Sequence, residues 1–276
     1  MKPIISLLLL SFTLSPFAVA QTPTIGTTEP IRQVDMAFPE SGVIASIPAQ
    51  EGQVVREGEL LGKLDSQVLD ASLRIAKIRA ESQSTIQSAQ ANWELRKRRK
   101  DELERLAKSG SANRDEVARA NAEFEISNAE LIAAKEEKAS LAIQVERIAA
   151  EIERHTLRSP FDGIVSRIYR EVGENVQPGQ GPVLTLVKLD QLNVVLHVPH
   201  QAAEHLKPGQ TVPLQKTNGT REYLAKLEFV SPVTDAASST TRVKLVLENP
   251  SGEHRSGTKY LVDLSRIGEP IALSKP

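Results

Sequence analysis

The chain of 276 residues contains no cysteine. Disulfides, thiolate metal sites and thiol nucleophiles are therefore excluded, and no lipid anchor on an N-terminal cysteine is expected. Aromatic residues are scarce, at 4% with a single Trp. That is too few for one large core and suits small modules, or long helices that bury little per residue. Neither sign of charge dominates, since 34 Lys and Arg stand against 35 Asp and Glu. No strong field draws the chain to nucleic acid or to an anionic membrane face. Beyond the N-terminus there is no apolar run long enough to cross a bilayer. No Ser/His/Asp or paired-carboxylate arrangement stands out from the charged background, so no catalytic residue and no cofactor are expected.

What is present begins with "MKPIISLLLLSFTLSPFAVAQ". One Lys precedes an apolar run that ends in small residues, the pattern of a secretory signal peptide cleaved after Ala20. An uncleaved anchor is the alternative. The mature protein is expected to be exported and soluble.

The strongest internal signal is a repeat. "SGVIASIPAQEGQVVREGELLGKLD" (Ser41 to Asp65) returns as "DGIVSRIYREVGENVQPGQGPVLTLVKLD" (Asp162 to Asp190). Gly42, Gly52 and Gly58 match Gly163, Gly173 and Gly179 with identical spacing. Glycines at fixed offsets mean one backbone shape used twice, and the alternation between them indicates short strands.

Between the copies, Ser66 to Thr156 contains no proline and is rich in Ala, Glu, Arg, Lys, Gln and Leu. This composition favours helix. Val117, Phe124, Leu131, Val145 and Ile152 share one heptad position, interrupted by Lys138. Ala120, Ala134, Leu141 and Ile148 follow three residues later, which makes an a/d seam. A weaker seam runs through Ile75, Ile86, Ala89, Trp93, Leu103 and Ala107. At "AKSGSANRDE", Gly110 ends one helix and Asn113 caps the next, with Glu116 as capping-box partner. The insert reads as an antiparallel helical hairpin with arms of roughly forty residues, about 60 Å each. After Gln191 the chain alternates apolar and polar residues between turns. Asn218-Gly219 is the clearest hairpin cue, and "HQAAEHL" is a short helix. Five or six strands and one helix suggest a small barrel.

Half of a β module, a long helical insert, the other half and then a small barrel: this order resembles the periplasmic adaptor (membrane fusion) proteins of the HlyD-like and resistance-nodulation-division (RND) type. "LRSPFDGIVSRIYREVGENVQPGQ" resembles the family's second lipoyl-like half, and "SPVTDAASSTTRVKLVLENPSGEHRSGT" its barrel. The fold class implied is mixed α and β and elongated. It comprises a split lipoyl-like β-sandwich (barrel-sandwich hybrid) interrupted by a coiled-coil hairpin and followed by a β-barrel. The expected divisions are a signal peptide at 1–20, an N-terminal segment and first strand at 21–40, and a first lipoyl-like half at 41–65. The hairpin at 66–156 and a second half at 157–190 follow, then a barrel at 191–268 and a tail at 269–276.

The resemblance further implies a non-enzymatic periplasmic bridge. It would join an inner-membrane transporter, RND rather than ABC, to an outer-membrane channel through a ring that is commonly hexameric in the family. Docking at the hairpin tip would fall to Arg105, Leu106, Ser109, Gly110, Ser111 and Asn113. RND-type adaptors carry an Arg, a Leu four residues on and a Ser seven later. Here Glu102, Leu106 and Asn113 hold those places, and only the leucine matches. The membrane-proximal domain of such adaptors needs more C-terminal chain than runs to Pro276, so contact with the transporter is expected to differ or to be supplied by a partner.

Blander readings stand beside these. True lipoyl and biotinyl carriers display a lysine on the turn that the insert replaces here. Lys63 and Lys188 lie before the Leu-Asp pairs, so a carrier module of an acyl-transfer enzyme is the alternative class, and a coiled-coil scaffold without a transport role is a third. His197, His200 and His205 are weak metal candidates, read as exposed histidines on a barrel edge. "RKRRK" at Arg96 to Lys100 is read as a solvated helix face with i,i+4 pairs such as Arg98–Glu102. Trp93 is read as packing inside the hairpin.

Overall fold

A computed structural model describes residues 24–267; the expected signal peptide and the tail at 269–276 lie outside the described residues. In chain order the elements are strands β1 (Thr24–Met36), β2 (Gly42–Ser46), β3 (Val54–Val55) and β4 (Leu60–Leu64), then helices α1 (Gln67–Glu81), α2 (Ser84–Lys108) and α3 (Arg114–Arg154). Strands β5 (Thr156–Arg158), β6 (Gly163–Ile168), β7 (Asn175–Val176) and β8 (Leu184–Pro199) precede helix α4 (His200–Ala203). Strands β9 (Thr211–Lys216), β10 (Glu222–Asp235), β11 (Thr240–Glu248) and β12 (Lys259–Val262) follow, with a short 3-10 turn at Leu264–Arg266. The chain divides into two compact units, one from Val34 to Leu186 and one that combines the residues up to Gln33 with those from Val187 onward.

In the first unit the repeat folds about an internal two-fold. Val54 pairs with Ile164 and Val55 with Gly163, while at the matching positions Val43 pairs with Asn175 and Gly42 with Val176. The turns repeat the relation. Gly52 N–H donates to the Val165 carbonyl at 2.8 Å and Gly173 N–H to the Ile44 carbonyl at 2.9 Å. Gly52 and Gly173 have φ of 83° and 92°, where a Cβ is disfavoured. Gly42 has another reason to be glycine: a Cβ there would sit 3.2 Å from Leu64 Cδ1. The core between the halves contains Ile44, Leu61, Leu64, Val165, Leu184 and Leu186, all at most 1% exposed.

Each repeat ends in Leu-Asp, but the sequels differ. Leu64-Asp65 leads into α1 because "SQVLDASLRIA" carries a helical period and good helix formers. Leu189-Asp190 lies inside β8 because "QLNVVLHV" continues with β-branched residues alternating across a sheet.

The helical insert is an antiparallel hairpin, as its period requires. Along α3 every residue of the 3–4 spaced series from Val117 to Ile152 is buried or half-buried, Ser127 and Lys138 included. Ser127 satisfies its hydroxyl by donating to the Phe124 carbonyl at 2.8 Å. Trp93 packs in the seam, 6.1 Å from the Phe124 ring, with Nε1 donating to Asn128 Oδ1 at 3.1 Å.

The first arm departs from expectation: it is two helices, broken at Ser82 and Gln83. In α1 the sheltered series is Leu69, Leu73, Ala76 and Ala80; in α2 it is Ile86, Ala89, Trp93, Arg96, Lys100 and Leu103. These two series are out of phase by one residue, about 100° of helix rotation. The extended Ser82, with ψ of 129°, takes up that phase. In consequence Ile75 is exposed rather than on the seam. Near the tip Leu106, not Ala107, is the half-buried residue.

The second unit is a six-stranded barrel in the order β1-β12-β9-β10-β11-β8, closed by β1 against β8. Alternate residues of β11 point inward, Val243, Leu245 and Leu247 among them, to meet Val194, Leu196, Leu214, Leu227 and Tyr260. Gly26 sits where the barrel closes, since a Cβ there would stand 2.6 Å from Val194 Cγ1. The Asn218-Gly219 cue marks a real hairpin between β9 and β10, but not a tight two-residue turn. Gln215 opposite Glu222 leaves a longer loop, and neither Asn218 nor Gly219 has positive φ.

Candidate partner-docking site at the hairpin tip

The tip is a short connection closed by a motif at each side. On the α2 side Ser111 N–H donates to the Leu106 carbonyl at 2.8 Å and Gly110 N–H to the Ala107 carbonyl at 3.1 Å. With Gly110 at φ 75° this is a Schellman ending. Ser109 Oγ reinforces it, donating to the Leu106 carbonyl at 2.9 Å and reaching Ser111 Oγ at 3.3 Å. On the α3 side Asn113 Oδ1 accepts from Asp115 N at 3.2 Å, while Glu116 Oε2 accepts from Asn113 N at 3.3 Å. That is the capping box read from the sequence. Four of the six tip residues thus define the backbone of the turn.

Arg105 and Leu106 remain for contact. Arg105 is exposed and forks onto Glu102, with Nε to Oε2 at 3.1 Å and Nη2 to Oε1 at 2.7 Å. The hydrogen bond from Arg105 holds the Glu102 carboxyl below the usual carboxylate range. The expected Arg98–Glu102 pair is thereby replaced: Glu102 is engaged one turn on, at i,i+3. Arg105 thus covers the acidic Glu102 in the last turns of α2. The rest of the basic run is split. Arg96 crosses to Glu123 on α3 at 2.6 Å, and Lys100 pairs with Glu104 at 3.5 Å.

The base of the hairpin is held by the β module. Lys63 is opposite Thr156 in the β4–β5 pair, and Leu64 N–H donates to the His155 carbonyl at 2.8 Å. Both ends of the insert therefore meet. Lys63 lies within β4 and faces Asp70 at 3.9 Å, while Lys188 faces Asp190 at 3.6 Å.

His197, His200 and His205 are exposed. His200 bonds Thr234 Oγ1 at 3.1 Å and faces Glu204 at 3.2 Å. Among the described residues no three His, Asp or Glu side chains converge as a metal set. His254, isolated in the sequence, is the histidine with a built environment. It is buried, takes a 2.7 Å hydrogen bond with Tyr260 through Nδ1 and lies edge-on to Tyr223. Burial, then the nearby Lys216, pushes its pKa down, while burial raises Tyr260 to about 12. The two are six residues apart, and Asn249 holds the intervening turn by bonding the backbone of His254, a local arrangement that the apolar and helical periods do not signal.

Two family profiles match the chain. One, described as CzcB-like, barrel-sandwich hybrid domain, covers residues 32–188; the other, CusB-like, beta-barrel domain, covers 192–266. The chain is 27% identical over 241 residues to the nodulation protein NolF of Rhizobium meliloti, covering 87% of this chain and 62% of that protein. It is 23% identical over 236 residues to the cobalt-zinc-cadmium resistance protein CzcB of Cupriavidus metallidurans, covering 84% and 43% respectively. The chain thus spans less than two thirds of these relatives. The crystal structure of MacA from Actinobacillus actinomycetemcomitans shares the fold, with a TM-score of 0.70 at 23% identity over 87% of this chain and 76% of that one.

Proposed function

The chain belongs to the membrane fusion (periplasmic adaptor) family, and from that premise we propose that it links an inner-membrane transporter to an outer-membrane channel in a tripartite efflux or secretion system. It works by assembly, without catalysis, in the periplasm. The observation that carries the reading is the return of the insert to its starting point. Helix α3 alone is 41 residues, about 60 Å, and the two ends of the whole insert are clamped side by side on β4 and β5. Such a build holds a narrow tip far from a β base, which suits a spacer. The tip is stiff because both helix ends are capped, so Arg105 and Leu106 are presented in one geometry to a channel. A carrier role fits poorly: Lys63 and Lys188 sit in strands beside carboxylates, and α1 begins where a carrier turn would be.

The test uses a host strain lacking this adaptor and the accumulation of drugs, dyes and metal ions. Deleting Ser84–Lys138 removes the upper hairpin but keeps its base, and Leu106→Asp alters the tip alone. Both are expected to leave substrates accumulated in the host. Normal export by the deletion variant for every substrate class that the intact chain exports would overturn the reading.

A further inference from the structure

The break in the first arm has no cause in its own sequence. "AESQSTIQ" (Ala80 to Gln87) contains neither Gly nor Pro, and Ala, Glu and Gln are good helix formers. The helix nevertheless stops at Ser82, because the apolar series of α1 and α2 disagree in phase by one residue. Continued back at its own alternating spacing, the α2 series of Ile86, Ala89 and Trp93 falls on Ser82, Arg79, Ile75, Ser72 and Val68. The seam of α1 uses the residue after each of the last four: Ala80, Ala76, Leu73 and Leu69.

The unused series is not an ordinary polar face. Val68 and Ile75 are 80% and 54% exposed, and Ile78 at its edge is 70% exposed. The seam in use is weak by comparison, with Ala76 its one fully buried member. Ser72, Ile75 and Arg79 already line an open groove shared with Gln144, Arg147 and Ile148 of α3. A rotation of α1 by about 100° would carry them into the seam. A basic residue there is no obstacle, since Arg96 and Lys100 hold such places in α2. Polar bonds do not oppose the turn either. Helix α2 is tied to α3 by Asn92–Glu130, Trp93–Asn128 and Arg96–Glu123. Among the described residues no hydrogen bond or ion pair runs from α1 to α3; Asp70 turns instead to Ser66 and Lys63.

We propose that the first arm is a joint with two settings, in which α1 exchanges the Leu69–Ala80 series for the Val68–Ser82 series and the break closes into one helix from Gln67 to Lys108. Discrete settings are expected because seam side chains interlock in one register or the next and pack poorly in between. Helix α2 keeps its place, so the turn is delivered at the base, where α1 follows β4 after Asp65 and Ser66. A twist between tip and β module is thus taken up by a change of register rather than by bending of the hairpin. The joint does not depend on the adaptor role.

The chain lacks cysteine, so disulfide traps can be placed without background. Leu64 N–H meets the His155 carbonyl, which sets Val68 and Leu69 level with Ile152. Full-length Leu69→Cys/Ile152→Cys reports the present setting and Val68→Cys/Ile152→Cys the other, each equilibrated in a glutathione buffer. Both pairs are expected to close within single chains. Closing the Val68→Cys pair should slow amide exchange at Gln83, Ser84 and Thr85, whose N–H groups gain carbonyls four residues back. Closing the Leu69→Cys pair should not. Adding Ile75→Lys should cut closure of the Val68→Cys pair about tenfold and leave the Leu69→Cys pair unchanged. Failure of the Val68→Cys pair to close, closure without slowed exchange at the joint, or indifference to Ile75→Lys would overturn the proposal. A further variant needs no cross-link. Inserting one Ala after Ser82 brings the present series of α1 and α2 into phase and should itself slow exchange at the joint; unchanged exchange there would remove the phase conflict on which the joint is built.

Discussion

The barrel encloses a complete apolar core, and the hairpin does not. Val194, Val198, Val243, Leu245, Tyr260 and Val262 are wholly enclosed by strands that close on themselves. The hairpin has only a two-row seam, in which Ala76, Leu103, Ala120, Ser127, Leu131, Ala134 and Ile148 reach burial while positions such as Val117, Leu141, Val145 and Ile152 stay half open. A closed core makes each residue depend on all the others. A seam makes each turn depend on its neighbours, on its caps and on what covers its outer faces. Aliphatic burial therefore gives the barrel global cooperativity and the hairpin local, separable stability.

The largest expected effect tests that difference directly. Leu245→Ala leaves a cavity in the barrel and is expected to cost about 2–5 kcal/mol in urea unfolding. Leu141→Ala, on a half-buried seam position, should cost well under half as much. Equal losses would mean that the hairpin is as tightly enclosed as the barrel.

A smaller effect sharpens the contrast at the tip. Asn113→Ala removes the cap and is expected to cost about 1 kcal/mol. The loss should appear as faster amide exchange at Asp115 and Glu116, with barrel amides unchanged. If barrel amides speed up as well, the tip is not an independent unit.

The mildest effect belongs to the barrel alone and depends on pH. Burial holds His254 below its ordinary pKa, so the folded state binds fewer protons than the unfolded state in that range. The barrel should be at full stability above the unfolded histidine value of about 6.5 and should weaken as pH falls below it. Opposing this, Glu253 raises the pKa of His254, while Lys216 and Arg221 lower it. Thermal melts at falling pH should show the decline in the intact chain and a flatter profile in His254→Gln. An unchanged slope in that variant would assign the acid sensitivity elsewhere.

Much of this architecture was legible in the sequence, for reasons that are local. Turn glycines are demanded by positive φ at Gly52, Gly58, Gly173 and Gly179. The heptads of α3 and its capping box depend only on residues within a few positions of each other. So does the Gly110 ending. Where a reading failed, a nonlocal cause decided. The phase slip at Ser82 was hidden because Ile75 offers an apolar residue at a plausible seam position. Burial in fact fell to Ala76, which the opposing helix selects. The Asn218-Gly219 loop was longer than its dipeptide suggests, because the β9–β10 register begins only at Gln215 and Glu222.

Sequence alone therefore determined most of the elements, their order, the doubled β module and the family, but not the break of the first hairpin arm into two helices. These follow from backbone preference and period, which neighbouring residues impose on each other. Tertiary structure decided two things that no local rule contains. It set how the repeat halves exchange strands about a two-fold and how His254 is brought against Tyr260. The first depends on residues far apart in the chain meeting in space, and the second on the local path of the chain ahead of β12 and its burial against the barrel, rather than on any segment's own preference.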